Sequence, residues 1–234
     1  MHSDGDAEAA RRGRPRRFVP PRERRHLLLE EPLAALSPTV VSMLDAGRRI
    51  LAERGFRALT VEAGINDAGV SRASFAEHFG DRVGFLAILF DSLTHDPSVA
   101  LEGRLADTPT GAGRCDSWVM GLAGLYENAE SCVAYQAIAA GALHDPPLRR
   151  RLVELLSWYR SIGVSRVSGC EGAEACTADE LETLAGLLEA AEDGLALRKA
   201  LDPEDFDVDR TLAMLARLVS AYLAERVTER SDLA

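Results

Sequence analysis

The chain has 234 residues, 47% hydrophobic and 27% charged, with a formal net charge of −10. That length can bury a sizeable core and fits one small domain plus one larger one. It contains no stretch of membrane-spanning length, and its start, MHSDGDAEAARRGR, lacks the apolar run of a signal peptide, so a cytoplasmic protein is expected.

The first segment is basic. From Arg11 to Arg25 there are eight arginines against one acid, Glu23, whereas residues 83–234 carry 13 basic and 25 acidic side chains. Screening over about 8 Å at physiological salt lets a basic end work on an acidic body. Within RRGRPRR the R-G-R-P string is the core of the AT-hook, an extended strip that lies in a narrow A·T-rich minor groove. Arg12, Arg14, Arg16 and Arg17 are therefore candidate DNA contacts, against the alternative of a solvated leader. Residues 1–37 are expected to be a disordered arm with room for a short helix between Pro21 and Pro32, where Leu27, Leu28, Leu29 and Leu33 would pack on the body.

Ser37 and Pro38 read as the N-cap and first residue of a helix that Gly55 ends, with Val40, Met43, Leu44, Gly47, Ile50 and Leu51 on its inner side. The next stretch, TVEAGINDAGVSRASFAEHFGDR, reads as a helix-turn-helix. Thr60 caps a short helix over Val61–Ala68, Gly69 marks the turn, and Ser71 caps a second helix running to about His78. Val70, Phe75 and Phe79 would face inward, leaving Ser71, Arg72, Ala73, Ala76 and Glu77 for a partner. Asp81 caps a helix to about Thr94, after which the Pro and Gly clusters of residues 95–114 predict a broken helix and a loop. The rest is helical, with segments expected near 115–129, 131–143, 146–168, 178–200 and 207–228. The last two are apolar at Leu181, Leu184, Leu188, Leu195, Leu212, Leu215 and Leu218, more than one face needs.

MLDAGRRILAERGF followed by LTVEAGINDAGVSRASFAEHFGDR resembles the N-terminal domain of the TetR family of transcriptional repressors. HDPPLRRRL and residues 191–219 are similar to segments of that family's ligand-binding domain. The resemblance implies an all-α homodimer, with a helix-turn-helix domain over 38–82 and a helical ligand-binding and dimerisation domain over 83–234. Each subunit would place one helix in the major groove of a palindromic operator, and a ligand would release the DNA. It assigns DNA contact to Thr60, Ser71, Arg72, Ala73, Ser74, His78 and Arg82, the last where the family commonly has a phosphate-binding Lys. It also implies that the last two helices form a four-helix bundle with the partner.

Two departures stand out. Gly64-Ile65 replaces the usual Ile-Ala, so the first motif helix should be loosely held. Ala76-Glu77 replaces an aromatic and a basic or polar residue, removing a phosphate contact and facing a carboxylate to a polyanion. They leave open a second reading, a ligand sensor or protein adaptor that has lost operator recognition.

Phe85, Leu89, Trp118, Leu122, Tyr126, Trp158, Tyr159 and Ile162 are the candidate ligand-binding residues, with ordinary core packing as the alternative. Tyr135 and His144 could add polar anchors, and in the absence of an evident charged cluster the expected effector is small and mostly apolar. Cys115, Cys132, Cys170 and Cys176 show neither CxxC spacing nor a neighbouring His, so plain thiols are expected, with a Cys170–Cys176 redox switch as the minor alternative. No Walker loop, GxGxxG, HExxH or GxSxG occurs, and the single ExxH, Glu23 to His26, cannot build a dinuclear site. The chain therefore reads as a non-enzyme without cofactor or metal.

Overall fold

The computed structural model describes residues 36–111 and 113–232, and the described residues form an all-α fold of nine α-helices. Helix α1 (Pro38–Arg54) starts where the Ser37 hydroxyl accepts the Val40 amide at 3.3 Å, and Pro38 occupies a position that needs no donor. Helix α2 (Val61–Ala68) starts at Thr60, whose hydroxyl accepts the Ala63 amide at 3.0 Å. It ends at Gly69, which takes the left-handed conformation (φ +67°) that a side chain would disfavour. Helix α3 (Arg72–Phe79) is capped by Ser71, and α4 (Arg82–Asp107) by Asp81, whose carboxylate accepts the Gly84 amide at 2.8 Å.

The larger part of the chain follows as α5 (Arg114–Gly121), a 3-10 turn over Leu122–Tyr126, α6 (Ala129–Ala142), α7 (Pro146–Val167), α8 (Ala178–Leu201) and α9 (Val208–Asp232). Thr177 and Glu180 close a capping box at the start of α8.

Two expected boundaries differ. The break after Thr94 does not occur, and α4 continues to Asp107. Leu101 and Leu105 are 1% and 2% exposed, and burial of these two side chains offsets the local cost of a Pro and a Gly in the helix. The single helix expected over 115–129 divides at Gly121. A side chain there would strike Leu101, and Arg104 takes the Gly121 carbonyl at 3.0 Å, so the helix tightens into a 3-10 turn.

Two apolar cores result. The first joins α1, α3 and the proximal half of α4 to Ala134 and Ile138 of α6 and to Leu148, Leu152 and Leu155 of α7. The second gathers the distal half of α4, α5, α8 and α9 around Trp118 and Leu122. Helix α4 runs through both, so the helix-turn-helix segment shares its core with the larger part.

Candidate functional site

The helix-turn-helix segment is built on aromatic packing. Phe75 and Phe79 of α3 and Phe85 of α4 have ring centroids 5.0 to 5.7 Å apart, two of the pairs edge-on, each worth about 0.5–1.5 kcal/mol beyond area burial. With these rings inward, Ser71, Arg72, Ala73, Ala76 and Glu77 are exposed, as the spacing predicted, and Ser74 and His78 are partly exposed at its edges. Thr60 is exposed at the start of α2 and Val70 is partly buried.

Gly64 is buried, and a Cβ there would lie 3.2 Å from Met43 Cε, so the Met43 side chain fills the space that the missing side chain leaves. Gly47 on α1 is tighter still, because its Cβ would meet Leu89 Cδ2 at 2.7 Å and Phe85 Cζ at 2.8 Å.

The Arg72 charge of this face is already paired. Arg72 donates to Glu62, and this ion pair joins the two motif helices. The backbone at its own position and then Arg72 hold the Glu62 carboxyl below its usual range. Arg82 has partners inside the protein. Its Nε donates to the Leu59 carbonyl at 3.1 Å, its Nη1 to Asp145 Oδ2 at 3.2 Å, and its guanidinium lies 4.8 Å over the Phe56 ring. Asp145 in turn caps α7 through the Leu148 amide at 3.2 Å. The Phe56 ring rests on Gly141 of α6, where a Cβ would lie 2.5 Å from three ring atoms. Arg48 of α1 reaches Glu130 of α6 at 3.4 Å. Phe56, Arg82, Gly141 and Asp145 thus form the seam between the helix-turn-helix segment and the larger part, a role that sequence reasoning missed because Asp145 lies 63 residues from Arg82. The arm residues Arg12, Arg14, Arg16 and Arg17, the leucines of the spacer, and Glu23 with His26 lie outside the described residues.

The eight candidate ligand-binding residues are divided between the cores. Phe85 and Leu89 are 1% and 0% exposed in the first, against Gly47. Trp118, Leu122 and Tyr126 are buried in the second. Trp158, Tyr159 and Ile162 are partly buried on α7, with Trp158 and Tyr159 rings 5.2 Å apart. Trp118 is 1% exposed, and its indole N–H meets no acceptor among the described residues. His144 is exposed in the turn between α6 and α7.

A charged and aromatic cluster that the sequence did not reveal lies between α4, α6, α7 and α8. Tyr159 donates to the buried Asp91, Tyr135 donates to Asp193 at 2.8 Å, and Gln136 donates to the Asp193 carbonyl at 3.0 Å. Tyr135 also stacks on Phe90 with centroids 4.4 Å apart. Burial pushes the Tyr159 phenol well above its ordinary range, with the Asp91 charge adding to it. Burial likewise pushes the Glu192 carboxyl up to about 7, opposed by Arg166 and reinforced by Asp193 and Glu189. Spacing could not expose this cluster, because its members come from four helices.

Known proteins resemble this chain in sequence pattern and in fold. The family model of bacterial regulatory proteins, tetR family, matches residues 43–87, and that of the BetI-type transcriptional repressor C-terminal domain matches residues 122–224. The fold is similar to that of a transcriptional regulator from Pseudomonas aeruginosa PAO1, 22% identical with a TM-score of 0.67, over 82% of this chain and 94% of that one. It is also similar to the fatty acid degradation regulator FadR from Bacillus halodurans, 13% identical with a TM-score of 0.59, over 79% and 95% of the two chains. A third similar structure is a transcriptional regulator from Saccharomonospora viridis in complex with choline, 16% identical with a TM-score of 0.53, over 79% and 96%. Identities this low mark a shared fold alone. No curated protein matches the chain by sequence.

Proposed function

The chain belongs to the TetR family of transcriptional regulators, and on that premise we propose that it is a ligand-responsive repressor that binds palindromic operators as a homodimer. Membership of this family makes it a DNA-binding regulator rather than an enzyme. The observation that carries the proposal is the exposed face of α3, Ser71 to Ala73 with Ala76 and Glu77, held by three buried phenylalanines above a core shared with the larger part. A rigid short helix with its N-terminal residues outward is the geometry that enters a major groove. Docking on DNA would let Arg72 exchange Glu62 for a phosphate, while Arg12, Arg14, Arg16 and Arg17 add minor-groove contact.

The effector is small and mostly apolar, and enters near Trp118, Leu122 and Tyr126 in the second core. The unpartnered Trp118 indole N–H favours a ligand that brings one hydrogen-bond acceptor. Helix α4 places Leu101 and Leu105 in this core and Phe85 and Leu89 against Gly47 of α1, and so couples the two, while the Arg82–Asp145 seam ties α4 to α7. By linkage the ligand must prefer the DNA-free conformation, and a coupling of about 1–3 kcal/mol suffices.

Dimerisation uses the outer faces of α8 and α9. Leu187, Leu201, Met214 and Leu218 are 53% to 69% exposed there, which fits an apolar surface covered by a second copy. No described helix is long and apolar enough to cross a membrane, in keeping with a cytoplasmic site of action.

The rival reading, a sensor or adaptor without specific operator binding, is favoured by one observation: the Arg72 charge is neutralised by Glu62 beside the exposed Glu77. Selecting bound fragments from genomic DNA with purified full-length protein and sequencing them separates the two. An enriched palindrome supports the repressor, and no enrichment at low salt supports the rival.

A further inference from the structure

We propose that Cys115 and Cys170 form a dithiol site that reacts with hydroperoxides and closes to an intramolecular disulfide. The residues are 55 apart in sequence, yet Cys170 forms a backbone bridge with Gly111, four residues before Cys115, and this brings the two thiols near enough to act on each other. Both are reduced and buried, at 6% and 3% exposure. Cys115 Sγ lies 4.0 Å from the Ala216 carbonyl of α9, and Cys170 Sγ lies 3.6 Å from the Arg166 carbonyl of α7. The two segments are held together by their backbones. Gly111 donates to the Gly169 carbonyl at 3.0 Å, and Gly111 and Cys170 form an isolated β-bridge. Gly172, at φ +86°, presses so closely on the Leu223 carbonyl of α9 that a Cβ would lie 2.9 Å from its oxygen. The thiols therefore meet in a fixed frame, which two chance neighbours would lack.

Access is built in as well. A cavity of about 240 Å³ opens onto Cys115 and is lined by Gly111, Gly113, Asp116, Gly172 and Ser220. Hydrogen peroxide is far smaller than that volume. The Cys170 thiol, with help from Ser220, holds Cys115 below the ordinary cysteine range. The same contact, together with burial, pushes Cys170 up. The cavity is lined by Cys115, which makes Cys115 the attacking sulfur and Cys170 the resolving one.

The chemistry balances with a hydroperoxide as the only oxidant. The Cys115 thiolate attacks one peroxide oxygen, the O–O bond breaks, and Cys115 becomes a sulfenic acid while the other oxygen leaves as water or alcohol. The Cys170 sulfur then attacks Cys115 Sγ, hydroxide leaves with a proton as water, and an S–S bond of about 2.05 Å forms. Two thiols lose two electrons and two protons, and the peroxide takes up both. The bond would lock α5 to the turn that seats α9, the helix carrying the exposed Met214 and Leu218.

The test uses reduced full-length protein and hydrogen peroxide. Treatment with about a tenfold excess should remove two of the four thiols, yield one Cys115–Cys170 linked peptide by mass spectrometry, and be reversed by dithiothreitol. In Cys170→Ser, Cys115 should instead accumulate as a sulfenic acid that dimedone traps. Retention of all four thiols overturns the proposal. So does a linkage through Cys132 or Cys176, a bond between two chains, or conversion of wild-type Cys115 to a sulfinic acid without the linked peptide.

Discussion

Two glycines on neighbouring helices make opposite predictions. A Cβ at Gly47 would sit 2.7 Å from Leu89 and 2.8 Å from the Phe85 ring, both fully buried, so Gly47→Ala should destabilise the protein by about 1–3 kcal/mol. At Gly64 the obstacle is only the terminal methyl of Met43 at 3.2 Å, and helix propensity favours Ala by up to about 1 kcal/mol. Gly64→Ala should therefore range from neutral to about 0.5 kcal/mol more stable; urea unfolding of the two variants reads the contrast. Arg82 offers a second residue-scale test. Its side chain and that of Asp145 are 31% and 24% exposed, so Arg82→Gln should cost about 1–2 kcal/mol, the lower part of the range for charged hydrogen bonds. Unchanged stability with a salt slope of DNA binding shallower by about 0.9 would instead mean that Arg82 serves a phosphate.

At the scale of the element, α8 carries a pH dependence. Burial raises Glu192 from an ordinary 4.5 to about 7, so between those values the folded chain retains a proton that the unfolded chain releases. Stability should consequently fall as pH rises through that window and level off above it, and Asp193, also raised by burial, acts in the same direction. Glu62 and Glu180 are lowered, so their contribution is present above their ordinary range and lost only as pH falls below it. Melting temperatures measured from pH 5 to 8 should decline, and Glu192→Gln should flatten the decline. A wild-type curve that rises across this range would contradict the burial of Glu192.

Taken as a whole molecule, the chain should behave as two reading heads with two basic arms. Sedimentation at micromolar concentration should give twice 25.3 kDa, and Leu218→Glu, which puts a charge on a residue 60% exposed in one subunit, should give a folded monomer. A variant that remains dimeric would move the interface off α9. Deleting residues 1–17, which removes Arg11 together with Arg12, Arg14, Arg16 and Arg17, should weaken DNA binding most at low salt and make the slope of log affinity against log salt shallower by about 4–5 per subunit, from roughly 0.9 per contact if all five engage. The preferred major-groove bases should not change, because phosphate and minor-groove contacts add affinity without altering what α3 reads. Equal slopes with and without the arm would reduce it to a solvated leader.

The caps and periodicities that define α1, α2 and α3 were legible in sequence because they are local. Ser37, Thr60, Ser71 and Asp81 each accept an amide three residues on, and Phe75 and Phe79 fall one helical turn apart. The outward face of the motif follows from the same spacing. What tertiary structure alone decided depends on distant segments meeting. Met43 fills the space at Gly64, Arg82 turns inward to Asp145, and α4 runs on past Pro97 because Leu101 and Leu105 are buried. Of the seven leucines that marked a surplus on α8 and α9, Leu184, Leu188, Leu195 and Leu212 are buried within the subunit, and Leu218 alone belongs to the strongly exposed set with Leu187, Leu201 and Met214. The Asp91–Tyr159 and Cys115–Cys170 contacts are of the same kind, each pairing residues more than fifty positions apart. A helical period gives the face on which a residue lies, but not which other helix that face meets; that depends on packing the whole chain at once.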